Sequence, residues 1–359
     1  MPAKPLAAQP EGSGIALDNR AGEAGSHEQA TNPGQVPGYA GSVERSLPLR
    51  KPHPLHSRNG SASRGTVPRL PSDRAPALIS VVIPSRNGAA LLAENLPAVC
   101  REVGDSGEVV VVDDGSTDRT ANLIRSQFPQ VRLVRREGKN GFCYAVNEGM
   151  EVASGDYLLL LNNDVVPSSG SFTGMWEELE KAGERNYSAV PAILRPDGSD
   201  ESRCSVVFRR GLARAVIGSS LGLPYPSGAC ALFRRSAWEA LGGLSTVYAP
   251  IYWEDADLGV RAHRMGMRIL HLPQLKVYHH HAATMGSSLA SEALRERNRF
   301  LFMDRNYGSI GYRLSRKLWL PLHLLKAHLT GNRPFIRGYR DYRAVSGTLS
   351  PYGTAGLWL

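Results

Sequence analysis

Apolar and polar positions fall along this chain in blocks of two periods. ISVVI (79–83) is a short, largely apolar run closed by Pro84, which predicts a strand; AALLAENLPAVCREVG after it carries helical spacing. The pair recurs. EVVVVDDGSTD (108–118) predicts a strand ending in acids, TANLIRSQF a helix, VRLVRRE (131–137) a strand and GFCYAVNEGMEVA (141–153) a helix. YLLLL (157–161) is a fourth apolar run, as in a strand covered on both faces. Strands and helices alternating through short connections build an α/β fold: a Rossmann-like, doubly wound, mostly parallel sheet with helices on both faces.

Beyond Pro167 the pattern loosens. SFTGMWEELEKAG predicts a helix and YSAVPAIL a strand, while residues 195–226 read as irregular. GACALFRRSAWEALGG (228–243) reads as a strand entering a helix that stops at Gly242–Gly243. EDADLGVRAHRMG (254–266) is a helix with acids in its first turn. RILHL and LKVYHHH predict two separate strands, and residues 287–308 a long amphipathic helix.

Composition divides the 359 residues further. Residues 1–76 hold eleven of the 24 prolines and no periodic apolar face, which predicts a disordered tail ahead of a domain at 77–308. Residues 309–359 form a basic C-terminal helical segment. Within 310–345, eight Lys and Arg face the single acid Asp341, and Trp319 and several leucines are interleaved; this composition suits a membrane interface, while Pro321 argues against one straight helix. The net charge of +9 favours anionic partners. The four cysteines show no C-x-x-C spacing, so neither a zinc cluster nor a disulfide framework is expected. No signal peptide or membrane span is visible, which leads to the expectation of a cytoplasmic protein, peripheral at most on the inner face of the membrane.

Chemistry gathers at the strand ends. Pro84, Arg86 and Asn87 close the first strand; Asp113, Asp114 and Gly115 close the second. If these strands are neighbours, the two groups adjoin, and the carboxylates can accept from a pyrimidine N–H and a ribose hydroxyl; a turn with a helix cap is the plainer reading. Lys139 and Asn140 sit at a helix start, where free N–H groups suit an anion, and Asn147 lies two turns along the same face. The fourth strand ends in Asn162, Asn163 and Asp164. A carboxylate there suits Mg²⁺ or Mn²⁺ held with substrate phosphates. Among His279, His280 and His281, alternation puts the first and third on one face. Glu254, Asp255 and Asp257 crowd one helix start beside Tyr252 and Trp253, which read as a cleft wall.

Taken in order, VVIPSRNG, VVVVDDGSTD, KNGFCYAVNEGM, YLLLLNNDVVP, SGACALFRRSAWEALGG and YWEDADLGVRAHRMG resemble family 2 glycosyltransferases of the GT-A fold, closest to the bacterial rhamnosyltransferase-like branch. The resemblance covers roughly residues 78–306. It implies nucleoside contacts at Pro84, Asp113 and Asp114, and a D-x-D-type motif at Asn162-x-Asp164 with Asp164 on the metal. It further implies Asp255, beside Glu254, as the base and His279 completing the metal site. Two positions depart from the family pattern: Asn162 stands for the first Asp of D-x-D, and Arg86 stands where Tyr is common. The implied reaction is inverting transfer from a nucleoside-diphosphate sugar, dTDP-rhamnose or a UDP-sugar, to a glycan or lipid-linked acceptor. No nucleic acid is expected as partner. A nucleotidyltransferase would usually show a Gly-rich basic loop after the first strand, which IPSRNGAALL lacks. A non-catalytic membrane- or nucleic-acid-binding module leaves the clustered acids without a role.

Overall fold

Val81–Ile83, Val109–Val112 and Leu158–Leu161 are buried throughout, so these runs sit inside a sheet rather than at its edge. The computed structural model describes residues 78–219, 221–280 and 288–348. The tail expected over 1–76, and His281, lie outside the described residues.

The chain enters the sheet on β1 (Ile79–Ser85) and continues through α1 (Ala89–Val103), β2 (Gly107–Asp113), α2 (Thr120–Gln127), β3 (Arg132–Arg135), α3 (Phe142–Val152) and β4 (Tyr157–Leu161). These four strands are parallel, in the spatial order β3-β2-β1-β4. Next come β5 (Val165–Pro167), α4 (Ser171–Lys181), β6 (Asn186–Leu194), β7 (Cys204–Arg209), β8 (Leu212–Ile217), β9 (Leu223–Tyr225) and β10 (Cys230–Arg234). The rest is helical save one strand: α5 (Arg235–Leu241), α6 (Glu254–Arg264), β11 (Arg268–His279), α7 (Leu289–Asn306), α8 (Ile310–Leu329) and α9 (Arg333–Val345).

β10 is inserted antiparallel between β4 and β6, and β6 pairs in parallel with β11, which gives an eight-stranded mixed sheet. α3 lies close on its inner strands: a Cβ on Gly149 would stand 2.4 Å from Val82 and 2.7 Å from Val112.

Three expectations change. The segment read as irregular, 195–226, carries β7, β8 and β9, a second antiparallel sheet of three short strands. The two strands expected over RILHL and LKVYHHH are one, β11, whose register slips between Leu272 and Lys276, around Pro273. Finally, α8 continues through Pro321 as one helix. A helical proline forfeits the bond to the carbonyl four residues back, here that of exposed Lys317, where water can replace it. Among the described residues no helix is long and apolar enough to cross a membrane. The four cysteines are free.

Candidate active site

The parallel register sets Ser85 opposite Asp113, and Asp114 N–H donates to the Ser85 carbonyl at 2.9 Å. The loops after β1 and β2 are therefore one structure. Asn87, at φ 51°, donates its N–H to Ser116 Oγ and accepts from Thr117 N–H, both at 2.8 Å. Pro84, near the end of β1, is half-buried, and Arg86, in the loop that follows, is exposed.

The two adjacent acids separate into different tasks. Asp113 is wholly buried; one oxygen accepts from Ser116 N–H at 2.8 Å and the other from Arg135 at 3.2 Å. It holds the turn. Asp114 accepts from Arg136 Nη1 at 2.6 Å and from Gly141 N–H at 2.7 Å. Gly141, not Asn140, is the N-cap of α3, and Asp114 satisfies its first amide. Gly141 has φ 147°, and a Cβ there would lie 2.8 Å from Pro250 Cα, so no other residue fits without displacing the loop. The Asn140 amide lies against Gly115, and exposed Lys139 lends its carbonyl to Arg136. Asn147 turns elsewhere: its amide donates to the Leu244 carbonyl and accepts from Leu244 N–H, each at 2.8 Å, so it clamps the segment after α5 and does not share a ligand with Asn140.

At the end of β4 the three polar residues also divide. Asn163 donates to Ser85 Oγ at 2.9 Å, and its carbonyl accepts from Asn95 at 2.8 Å; it ties strand ends together. Asn162 stays half-exposed, its N–H donating to Ala229. Asp164 is buried, 7% exposed, with His279 Nε2 at 3.1 Å from its Oδ1. Oδ1 has no hydrogen-bond partner. On its other side His279 Nδ1 meets Glu201, which also pairs with Arg195 at 2.7 Å. Burial works against a charged imidazole here, but Asp164 and Glu201 outweigh it and push the His279 pKa up to about 9. His280 points outward, exposed. Glu201 escaped sequence reasoning because it lies 78 residues from His279, in the stretch read as irregular. Among the described residues no group of three or more His, Cys, Asp or Glu is arranged to hold a metal ion by itself.

The start of α6 sorts its three acids. Asp257 is fully buried and accepts from Tyr248, Asn306 and Arg261, each at 2.8 Å, so it is structural. Glu254 is 4% exposed, and burial together with neighbouring Asp255 raises its pKa well above the usual range. Only Asp255 is half-exposed. Burial pushes its pKa up to about 6 against hydrogen bonds from the Ala256, Asp255 and Gly228 amides. A Cβ on Gly228 would find Asp255 Oδ2 and the Phe142 ring both at 3.8 Å, so this glycine leaves open the ground between the base candidate and the start of α3. Tyr252 and Trp253 precede the helix at φ 84° and 77°. Trp253 is not the cleft wall expected: it is buried against Phe302 at 4.8 Å and donates to the Arg295 carbonyl. The Asn298 amide of α7 holds this strained loop by donating to the carbonyls of Tyr248, Ile251 and Tyr252 at 2.6, 2.9 and 3.1 Å.

The acids scattered over the chain thus share one rim. Asp114 meets Gly141; Phe142 and Asp255 both lie against Gly228; Ala229 meets Asn162; Asp164 follows two residues on. The missed β-sheet braces it, since β9 lies along α6 and a Cβ on Gly259 would stand 2.4 Å from that of Tyr225. A cavity of about 340 Å³ lies apart, lined by Phe208, Tyr307, Tyr312 and Arg316; none of the rim acids borders it.

Comparison with known proteins fits this geometry. The family model "Glycosyl transferase family 2" matches residues 80–242. An N-acetylglucosaminyl-diphospho-decaprenol L-rhamnosyltransferase of Mycobacterium tuberculosis is 30% identical over 234 residues, 56% of this chain and 76% of that protein. A PGL/p-HBAD biosynthesis glycosyltransferase of Mycobacterium bovis is 34% identical over 93 residues, 25% of this chain and 36% of that one. Among solved structures, GalNAc-T7 with UDP, GalNAc and Mn²⁺ superposes with TM-score 0.51 at 17% identity, covering 65% of this chain and 48% of its own, and shows the shared GT-A fold.

Proposed function

The chain belongs to glycosyl transferase family 2, and from that premise we propose that it transfers a sugar, with inversion, from a nucleoside-diphosphate donor to a glycan or lipid-linked acceptor. The observation that carries the reading is the sorting of the α6 acids: Asp257 is committed to three hydrogen bonds, Glu254 is buried, and Asp255 alone faces the rim with a pKa pushed up to about 6. A carboxylate so tuned is ionised at neutral pH yet basic enough to take a proton. The acceptor hydroxyl oxygen forms its bond to the anomeric carbon as the bond from that carbon to the diphosphate breaks. Asp255 receives the hydroxyl proton, and the diphosphate leaves with the electron pair. Such a base contributes about 10²–10⁴-fold to rate.

The nucleoside end is assigned to Pro84, Arg86, Asn87 and the Asp114–Gly115 turn. Lys139 lies next along the rim, where a cation suits the diphosphate; the Gly141 and Phe142 amides at the α3 start are taken by Asp114 and the Pro250 carbonyl. A buried carboxylate oxygen without a hydrogen-bond partner, beside an imidazole nitrogen, fits a divalent cation, whose binding would displace the proton that Asp164 and Glu201 favour on His279. Asp164 and His279 would hold Mg²⁺ or Mn²⁺, with water and donor phosphates completing its shell. When bound, the ion would offset negative charge on the departing diphosphate. Glu201 accepts from His279 Nδ1–H and so leaves Nε2 directed at Asp164.

The Mycobacterium tuberculosis relative favours L-rhamnose as the sugar and a diphospho-polyprenol-linked acceptor; we place the meeting with such an acceptor at the inner face of the cytoplasmic membrane. The test is incubation with dTDP-rhamnose and a panel of UDP-sugars, with and without a polyprenyl-diphosphate-linked sugar. Release of nucleoside diphosphate with glycosylated acceptor supports the reading. Pyrophosphate release would assign a nucleotidyltransferase instead, and no turnover with any donor a non-catalytic module.

A further inference from the structure

α8 turns an apolar edge outward. Ile310, Leu314, Leu318, Leu322, Leu325 and Leu329 are each between 52% and 79% exposed. At about 100° per residue these six side chains fall within an arc of roughly 120°, along a helix roughly 30 Å long. The opposite side is the one used for packing. Ala327 is buried there, Leu320 and Leu324 pack against the core, and Arg316 is held by Asp304 and Tyr342. The stripe is therefore surplus to the fold's own core. Exposed Lys317 borders one edge and exposed Lys326 the other. No Asp or Glu occurs anywhere in α8. α9, by contrast, turns its Phe335, Gly338 and Tyr342 inward, so the basic segment of 310–345 is not uniformly outward-facing.

We infer that α8 is an in-plane anchor on an anionic bilayer: the Leu stripe enters the boundary between headgroups and acyl chains, and Lys317 and Lys326 reach up to lipid phosphates. This deepens the transferase reading, on which it rests only in naming the surface where a lipid-linked acceptor would be met. Two features select the occupant. A nucleic acid would satisfy the cations but leave six apolar side chains uncovered. A second copy of the chain would cover the leucines but bring the same cations to the seam, with no carboxylate on either helix to meet them. An anionic lipid surface satisfies both the stripe and its borders, and long Lys side chains suit that depth.

The experiment is co-sedimentation of the full chain with vesicles of phosphatidylcholine alone or with about one-third phosphatidylglycerol. Wild type should bind the anionic vesicles, less tightly as salt rises. Leu318→Glu with Leu322→Glu should reduce partitioning about tenfold or more. Leu314→Gln with Leu325→Gln, which adds no charge, should reduce it in the same direction. Both pairs should keep the wild-type circular dichroism spectrum and the rate of donor hydrolysis in detergent-free buffer, which separates this result from the transferase test. Unchanged vesicle binding in both folded double variants would overturn the proposal. So would light scattering showing a dimer that these substitutions dissociate, which would assign the stripe to a second copy.

Discussion

Asn298 supplies three of the hydrogen bonds that hold the loop before α6, beside those made by Arg297 and Trp253, and removing it tests what the loop does for turnover. Asn298 is fully buried, and its Nδ2 donates to three carbonyls of residues 248–252. Asn298→Ala leaves the buried Tyr248 carbonyl without that donor, at a cost of about 1–3 kcal/mol, while the two less buried carbonyls turn to water for about 0.5 kcal/mol each. The sum is about 3 kcal/mol, or a fall in Tm of about 6–12 °C for a domain of this size. The same bonds keep Tyr252 and Trp253 in left-handed conformations costing about 1–3 kcal/mol each. Once released, they relax and move the first turn of α6, so kcat should fall at least about tenfold with donor affinity nearly unchanged. Asn306→Ala is the control: it also removes a buried amide from α7, one bonded to Asp257 at 2.8 Å, but has no grip on the loop carbonyls. Thermal denaturation and saturating-donor turnover at 20 °C would be measured on both. Wild-type turnover in folded Asn298→Ala, or equal turnover losses in the two variants, would refute the clamp.

Three further outcomes follow from the site. Turnover at saturating donor should fall as pH drops through about 6, because protonated Asp255 is no longer basic enough to take the acceptor proton, and Asp255→Glu should move that limb. Asp164→Ala should abolish the enhancement of donor binding by Mn²⁺ in calorimetry; an enhancement equal to wild type would remove Asp164 from the cation. Glu201→Gln should weaken Mn²⁺ binding about 10–100-fold, read by titration without donor; unchanged affinity would make Glu201 a purely structural partner of His279.

Sequence patterns revealed the half of the fold whose strands are buried on both faces. β1, β2 and β4 are continuous apolar runs with polar stops, and their register brings Pro84–Asn87 beside Asp113 and Asp114. β7 to β9 were illegible for the opposite reason: they are short, and β8 leaves Arg214, Ala215 and Ile217 outside, so no clean alternation marks them. Glu201 was lost with them. Three acids at the start of α6 look alike in a string, and only burial and partners single out Asp255. Helical spacing grouped Asn147 with Asn140, but the partner that fixes Asn147 is Leu244, 97 residues away. Pro321 argued against one straight helix; α8 continues through it, and the carbonyl it leaves unpaired belongs to exposed Lys317.

The base assignment is tested most directly by Asp255→Asn, which keeps shape and removes basicity. Donor affinity by calorimetry and turnover with the productive donor would be measured on the same preparation. Affinity within about twofold of wild type, with turnover lowered by about 10²–10⁴, is the predicted result. Turnover equal to wild type in the folded variant would contradict it.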